Sequence, residues 1–189
     1  MINIFRLPNK RNSSAPRRIV LRGYGRQVHD ITGRAFYVGE VDRFVQSHLD
    51  RADRDTLINR HPSAEVLIDI ARLTHDAVKF FAHEPVMAML SYSNFGSDKQ
   101  GSPLKVHEAI DFLHKTYPDM VVDGEMQVNF ALDKKLRDDM YPFNKLKGQD
   151  VNTLIFPNLS SANSAYKLLD TLGITETIGP IHGHSEQCM

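Results

Sequence analysis

The stretch PVMAMLSYSNFGS, residues 85–97, decides the fold. Its first half is apolar at almost every position up to Leu90, which predicts a strand that is buried on both faces. Such strands are typical of parallel sheets that are covered by helices on both sides. The serines begin at Ser91, so the polar groups of this stretch stand at the carboxyl end of the predicted strand.

Strands and helices alternate along the chain from this stretch in both directions. Pro62 and the apolar face that runs up to Phe81 predict a helix over 63–81. Beyond the serines, the pattern predicts helix 103–117, strand 120–123, helix 124–137, strand 151–157, helix 160–172 and a short strand at 175–178. Repeated strand and helix units with right-handed crossovers predict a three-layer α/β/α domain with a mainly parallel sheet.

The first 54 residues are harder to interpret. RRIVL at 17–21 and RAFYVGEV at 34–41 favour strands, although their partners are not evident. Lysines and arginines are concentrated in this segment, while the net charge of the whole chain is zero. A solvated basic leader is the favoured interpretation over an arm that binds nucleic acid. We therefore divide the chain into a basic leader at 1–54, an α/β lobe at 55–181 and a tail at 182–189.

Composition excludes several classes of protein. The 189 residues are 41% hydrophobic, which is enough for one domain with a core. No run of about 18 apolar residues is present, so we expect no membrane partner. Cys188 is the only cysteine, which is compatible with the reducing cytoplasm, where we expect the protein to be.

The predicted turn after the first buried strand is the strongest candidate ligand site. Ligands of open parallel sheets bind outside the carboxyl ends of the strands. Hydroxyl, amide and backbone N–H groups there can surround a phosphate or an acyl phosphate. The alternative is ordinary capping of the loop by its own serines. The residues assigned to this site are Ser91, Ser93, Asn94, Gly96 and Ser97, and Gly96 would let the backbone come close to a ligand.

Two carboxylates mark the end of the next predicted strand. Asp123 and Glu125 are possible carboxylates of the ligand cleft. The competing role, which we favour, is to cap the helix that follows by accepting its first N–H groups. Their spacing across a glycine does not make them an acid and base pair, so we assign them no catalysis.

The third strand end also carries polar groups. Asn158 follows the strand, and Asn163 and Lys167 are four residues apart on one face of the next helix. Lys167 can meet a phosphate as a point charge, or it can simply face solvent.

No residue is assigned a catalytic or metal-binding role. His182, His184 and Cys188 lack a fourth ligand and a rigid framework, so we predict a flexible tail and no metal site. The serines are not surrounded by the G-x-S-x-G pattern of hydrolases.

Four blocks in fixed order identify a family. They read LSYSNFGS at 90–97, DGEMQ at 123–127, VNTLIFPNLSSANSAYKLL at 151–169 and IGPI at 178–181. Together they resemble the phosphate acetyl/butyryl transferase family over residues 55–181. The SNFGS form is similar to the copy of this domain at the C-terminal end of hybrid malic enzymes.

The resemblance implies both a fold and an activity. It implies one lobe of the two-lobe phosphotransacetylase or isocitrate-dehydrogenase-like fold, in which acetyl moves between coenzyme A and phosphate. In hybrid malic enzymes the domain is associated with acetyl-CoA-responsive regulation and oligomer assembly, so a homo-oligomer is expected. The parent reaction there is oxidative decarboxylation of malate to pyruvate, for which NAD(P) and a divalent metal bind to the other portion of the enzyme.

The chain departs from the transferases at two points. Asn94 and Phe95 stand where transferases of the family have a threonine and a lysine. After IGPI the family continues into a segment with a serine, an arginine and an aspartate, whereas this chain reads HGHSEQCM. We therefore expect a regulatory module that binds acetyl-CoA or phosphate, or an oligomerisation module, without complete catalytic machinery. The alternative is an active phosphate acetyltransferase.

Overall fold

The computed structural model describes residues 2–6, 35–39, 60–80, 82–172 and 176–181. Its elements, in chain order, are β1 (Ile2–Arg6), β2 (Ala35–Gly39), α1 (Ala64–Phe80), β3 (Met87–Leu90), α2 (Gly101–Thr116), β4 (Val122–Met126), α3 (Val128–Leu132), α4 (Lys134–Met140), β5 (Thr153–Ile155), α5 (Leu159–Thr171) and β6 (Glu176–Ile181).

Within the described residues, the strands form one six-stranded sheet in the order β4-β3-β5-β2-β1-β6. The pairs β4 with β3, β3 with β5 and β5 with β2 are parallel. β1 is antiparallel to both β2 and β6. The predicted α/β class with a mainly parallel sheet is therefore confirmed, and the four parallel strands direct their carboxyl ends to one edge.

Two hydrophobic clusters lie on opposite faces of the sheet, because successive side chains of a strand alternate between faces. Met87 and Met89 of β3 pack in one cluster with residues of α1 and α2, which cover that face. Ala88 and Leu90 pack in the other, together with Ala131 of α3. The central strands are thus buried between two layers, as the apolar run in β3 predicts.

The predicted helices at 63–81, 103–117 and 160–172 correspond to α1, α2 and α5, and the predicted strand within 34–41 is β2. Its partners, which the sequence did not reveal, are β1 and β5. RRIVL at 17–21 lies outside the described residues.

The prediction around residues 120–137 was wrong in two respects. The strand is β4 and continues to Met126, so Asp123 and Glu125 lie inside it and are buried. The single helix expected over 124–137 is instead two short helices, α3 and α4, separated at Asp133. The side chain of Asp133 accepts a hydrogen bond from the Leu136 amide (2.9 Å) and so begins α4.

The final strand is longer than predicted. β6 extends to Ile181 and contains the whole IGPI block, because it pairs with β1 along the outer part of the sheet.

Candidate functional site

The serine turn, residues 91–97, follows β3 at the carboxyl edge of the sheet and is closed by its own hydroxyl groups. The hydroxyls of Ser93 and Ser97 are 2.8 Å apart. Ser97 Oγ accepts the Asn94 amide (3.1 Å), and Ser93 Oγ accepts the Asp98 amide (2.9 Å). The Ser93 amide in turn reaches Ser91 Oγ at 3.4 Å. The structure therefore brings all the predicted polar residues of the turn together.

A carboxylate of β4 occupies the concave side of the turn. Glu125 Oε1 accepts the Gly96 amide (2.6 Å) and the Ser93 hydroxyl (3.2 Å). The Phe95 amide donates to the backbone oxygen of Glu125 (2.8 Å). Donors of this kind are the ones that would hold a phosphate, so in this molecule an internal carboxylate already uses part of the predicted anion cradle.

Gly96 has a conformational role in the turn. Its φ is +83°, in the left-handed region where side chains are strained, while a Cβ built there would meet nothing within 4 Å. The preceding Phe95 is also left-handed, with φ at 46°. Its ring packs against Tyr141 at 4.8 Å and Phe143 at 5.2 Å between centroids. The aromatic contacts thus join the turn to the segment that contains Tyr141 and Phe143.

Gln127, which the sequence analysis did not single out, connects the turn to β4. Its amide N–H donates to Asn94 Oδ1 (2.8 Å), and its side-chain Nε2 donates to the Tyr92 carbonyl (2.7 Å). The only sequence signal was its place in the DGEMQ block. With Glu125, it fixes the serine turn to the end of the neighbouring strand.

Asp123 does not cap the following helix, contrary to the role that we favoured. It is buried inside β4 and accepts the amides of Lys145 (2.6 Å) and Gly124 (3.0 Å). His114 Nε2 lies 3.8 Å from its carboxylate. Burial raises the pKa of Asp123, and the two amide hydrogen bonds oppose the rise. Its role here is to hold the loop that carries Lys145.

At the end of β5, Asn158 begins α5. Its Oδ1 accepts the Ser161 amide (2.9 Å), as expected of an N-cap residue. Asn163 and Lys167 are exposed on α5, and Lys167 Nζ lies over its neighbour Tyr166, 4.9 Å from the ring centre. Of these three predicted residues, only Asn158 lies at the first turn of the helix, next to the strand end.

Lys105 of α2 supplies a positive charge at this edge that the sequence analysis missed. Its ammonium donates to the carbonyl oxygens of Pro62 (2.9 Å) and Pro157 (3.0 Å). It thereby joins α2 to the start of α1 and to the end of β5. Partial burial lowers the pKa of Lys105. A lysine at helical spacing on a mostly polar face gives little signal in the sequence.

No group of three or more metal-ligating side chains occurs among the residues that the structure describes. Across that same part of the chain, the helices are all too short or too polar to span a membrane. The predicted tail with His182, His184 and Cys188 lies outside it.

Comparison with known proteins gives the family. Residues 52–186 match the model of the family described as phosphate acetyl/butaryl transferase. Over 130 residues, the chain is 38% identical to an NADP-dependent malic enzyme of Salmonella typhimurium, covering 67% of this chain and 17% of that protein. It is 41% identical over 122 residues to a phosphate acetyltransferase of Treponema pallidum, covering 63% of this chain and 36% of that protein.

The fold is also similar to that of a solved structure. A phosphotransacetylase from Streptococcus pyogenes superposes with a TM-score of 0.66 and is 28% identical. The match covers 96% of this chain and 44% of that one. The chain therefore spans less than half the length of these relatives.

Proposed function

The chain belongs to the phosphate acetyl/butyryl transferase family, and on that premise we propose that it is a ligand-binding module of a malic enzyme. It takes acetyl-CoA or phosphate at the carboxyl edge of its sheet, and binding serves regulation or assembly of the larger enzyme. The parent activity, oxidative decarboxylation of malate with NAD(P) and a divalent metal, belongs to another portion of that enzyme.

The observation that carries this proposal is that the serine turn and Lys105 lie at the ends of two adjacent parallel strands, β3 and β5. The Ser93 hydroxyl lies within hydrogen-bond distance of Ser97, Glu125 and the Asp98 amide. The Ser93 hydroxyl donates to Glu125 and accepts from the Asp98 amide, so it is held in place as part of the turn. The turn therefore has a fixed shape at the carboxyl edge of the sheet, where ligands of parallel sheets bind.

The charges at the edge support an anionic ligand. Lys105 is fixed at the end of β5, and the donors of the serine turn stand at the end of β3, which pairs directly with β5. The phosphate groups of such a ligand would meet the cation at the end of β5, and its uncharged part would lie along the serine turn at the end of β3. Asn158 and the more distant Asn163 and Lys167 lie on the helix that leaves the same edge.

Calorimetric titration with acetyl-CoA tests the proposal. We expect saturable binding by the wild-type chain, weakened about tenfold by Ser97→Ala, because the Asn94 amide and the Ser93 hydroxyl lose a partner. Ser93→Ala should weaken binding at least as much. Ser164→Ala, at an exposed position farther along α5, is the matched control and should bind like wild type. The proposal fails if acetyl-CoA does not bind, or if all three variants bind alike.

Acyl transfer is the second candidate. The 41% identity to a phosphate acetyltransferase favours it. It predicts acetyl phosphate formation from acetyl-CoA and phosphate, which hydroxylamine trapping detects. Turnover by the purified chain, alone or with a partner chain, would establish this function in place of the regulatory one.

A further inference from the structure

Glu125 links the serine turn to a histidine of α2. Its side chain is completely buried, and its Oε1 is engaged by Gly96 and Ser93. The other oxygen, Oε2, receives no hydrogen bond from any residue that the structure describes. His107 Nδ1 lies 3.4 Å from this oxygen. A buried carboxylate oxygen is costly to leave without a donor, so a hydrogen bond from His107 Nδ1 to Oε2 would be stabilising.

His107 is the member of the pair that faces outward. Its side chain is 47% exposed, whereas that of Glu125 is 0% exposed. A carboxylate next to Nδ1 favours the tautomer that carries its hydrogen on Nδ1, as in carboxylate and histidine pairs that orient an imidazole. The lone pair of Nε2 is then available to accept a hydrogen bond from a ligand.

The charges around His107 select the kind of ligand. Glu125 lies on the Nδ1 side, and Asp111 Oδ2 lies 3.9 Å from Nε2 on the other. Two carboxylates against one imidazole disfavour an anionic group at this place. Lys105, at the end of β5, provides the opposite environment. The edge of the sheet is therefore divided into an acidic end near β4 and a basic end near β5.

We propose that His107, positioned by Glu125, binds the uncharged pantetheine arm of an acyl-CoA-type ligand, and that Lys105 binds the phosphate end. The arm carries two amide N–H groups, which are neutral donors that suit Nε2 between two carboxylates. The inference rests on the proposed function and adds to it the orientation of the ligand along the edge.

Two half-ligands separate the two ends of the site. Pantetheine carries the donor arm without phosphate, and adenosine 3′,5′-bisphosphate carries phosphate without the arm. We expect His107→Ala to weaken pantetheine binding about tenfold and to leave the bisphosphate unchanged. His107→Gln, whose amide lies near the position of Nε2, should restore part of the loss. Lys105→Met should weaken the bisphosphate alone.

Glu108→Ala, an exposed position next to His107 on α2, is the control and should bind both probes as wild type does. Equal binding of pantetheine by wild type and His107→Ala, with acetyl-CoA still bound by wild type, would overturn this inference and leave the proposed function standing. If the wild-type chain does not bind acetyl-CoA, both this inference and the proposed function are overturned.

Nitrogen-15 NMR of the imidazole gives a readout that does not depend on a ligand. We expect His107 to show the tautomer protonated at Nδ1, and Glu125→Gln to reduce its population because a neutral amide is a weaker acceptor. An identical tautomer balance in the two proteins would overturn the positioning role of Glu125.

Discussion

At the level of single residues, the buried carboxylate of Glu125 is the group on which the site depends most. Glu125 is buried near the end of β4, the outermost strand on its side of the described sheet, and donors of the serine turn converge on its Oε1. Its Oε2 faces His107. A single side chain thus gives the turn its shape and connects it to an exposed imidazole.

At Gly124, next to Glu125, the neighbouring strand leaves no room for a side chain. A Cβ at this position would lie 2.5 Å from the backbone oxygen of Met89 on the neighbouring strand. We expect Gly124→Ala to lower the free energy of unfolding by about 3 kcal/mol, because a backbone atom cannot move aside without separating β3 from β4. Urea denaturation measures the change.

Gly148→Ala is the matched control for this prediction. The φ of Gly148 is +76°, in the left-handed region, but a Cβ at Gly148 would meet nothing within 4 Å. We expect it to cost only about 1 kcal/mol of conformational strain. Equal losses at the two glycines would contradict the steric explanation.

Asp123 should make stability depend on pH. Its pKa is raised above the ordinary 3.8, so the folded protein holds this proton more tightly than the unfolded chain does. The contribution of this group to stability is therefore greatest below the ordinary pKa and is lost as pH rises through the raised one. Asp123→Asn removes the titration and keeps an oxygen for the Lys145 amide.

Urea unfolding at a series of pH values measures this effect. We expect the stability of Asp123→Asn relative to wild type to increase with pH from about 3.8 upward. The exposed Asp76→Asn serves as the surface control. Parallel stability curves for Asp123→Asn and wild type would show that Asp123 does not titrate differently in the folded state.

Single residues also show what the sequence could and could not reveal about the site. The serines of the turn were predictable, because a buried strand followed by hydroxyl residues places them at the carboxyl edge. Glu125 was expected at the end of a strand, as a carboxylate of the cleft or a cap of the next helix, and only the register shift between β3 and β4 near Met89 and Leu90 shows how the strand continues past it. His107 and Lys105 depend on contacts between distant segments, for which spacing along α2 gives no signal.

At the scale of elements, a buried arginine holds together the segment after β4. Arg137 of α4 is completely buried and donates to the carbonyl oxygens of Ala131 (3.3 Å), Leu146 (2.9 Å) and Gln149 (2.7 Å). It also lies 3.3 Å from Asp138. Two very short helices and a loop are thus joined by one guanidinium, whose planar fork reaches several acceptors at once.

Arg137→Met should therefore be strongly destabilising. It removes the guanidinium hydrogen bonds to three carbonyl oxygens and leaves Asp138 without its cation, so we expect a loss of about 3 kcal/mol or more. Arg72→Met is the control, because Arg72 is half-exposed on α1 and its partners among the described residues are Asp69 at 3.3 Å and the Tyr117 ring. A loss below about 1 kcal/mol at Arg137, or equal losses at the two arginines, would contradict this role.

Elements with strong periodicity were predicted well. α1 and α5 and the apolar β3 follow patterns of burial that one sequence displays. The region 124–137 was not predicted, because Asp133 caps a second helix in the middle of what looks like one helical segment. The pairing of β1 with β6 joins the two ends of the chain, and no local pattern encodes such a contact.

At the scale of the whole molecule, the lobe exposes apolar side chains on and just after α3 and α4. They are Val128, Leu132, Met140 and Phe143. Exposed apolar groups concentrated in one segment are typical of a surface that another chain covers. We propose that the homo-oligomer expected from the family resemblance buries this surface.

Met140→Lys tests that surface, because a buried charge would oppose association. We expect wild type to be oligomeric by size-exclusion chromatography with light scattering, and Met140→Lys to shift it toward monomer. Leu168→Lys is the matched control, since Leu168 of α5 is 59% exposed against 60% for Met140. A monomeric wild type, or equal behaviour of the two variants, would contradict the assignment.

We propose that an acyl-CoA or phosphate ligand binds where the parallel strands end. The most direct measurement is the change in amide chemical shifts when acetyl-CoA is added to the isotope-labelled chain. The account predicts the largest changes at residues 91–97, 125–127 and 157–161. Changes confined to the opposite edge, at 85–86 and 150–152, or no changes at all, would contradict it.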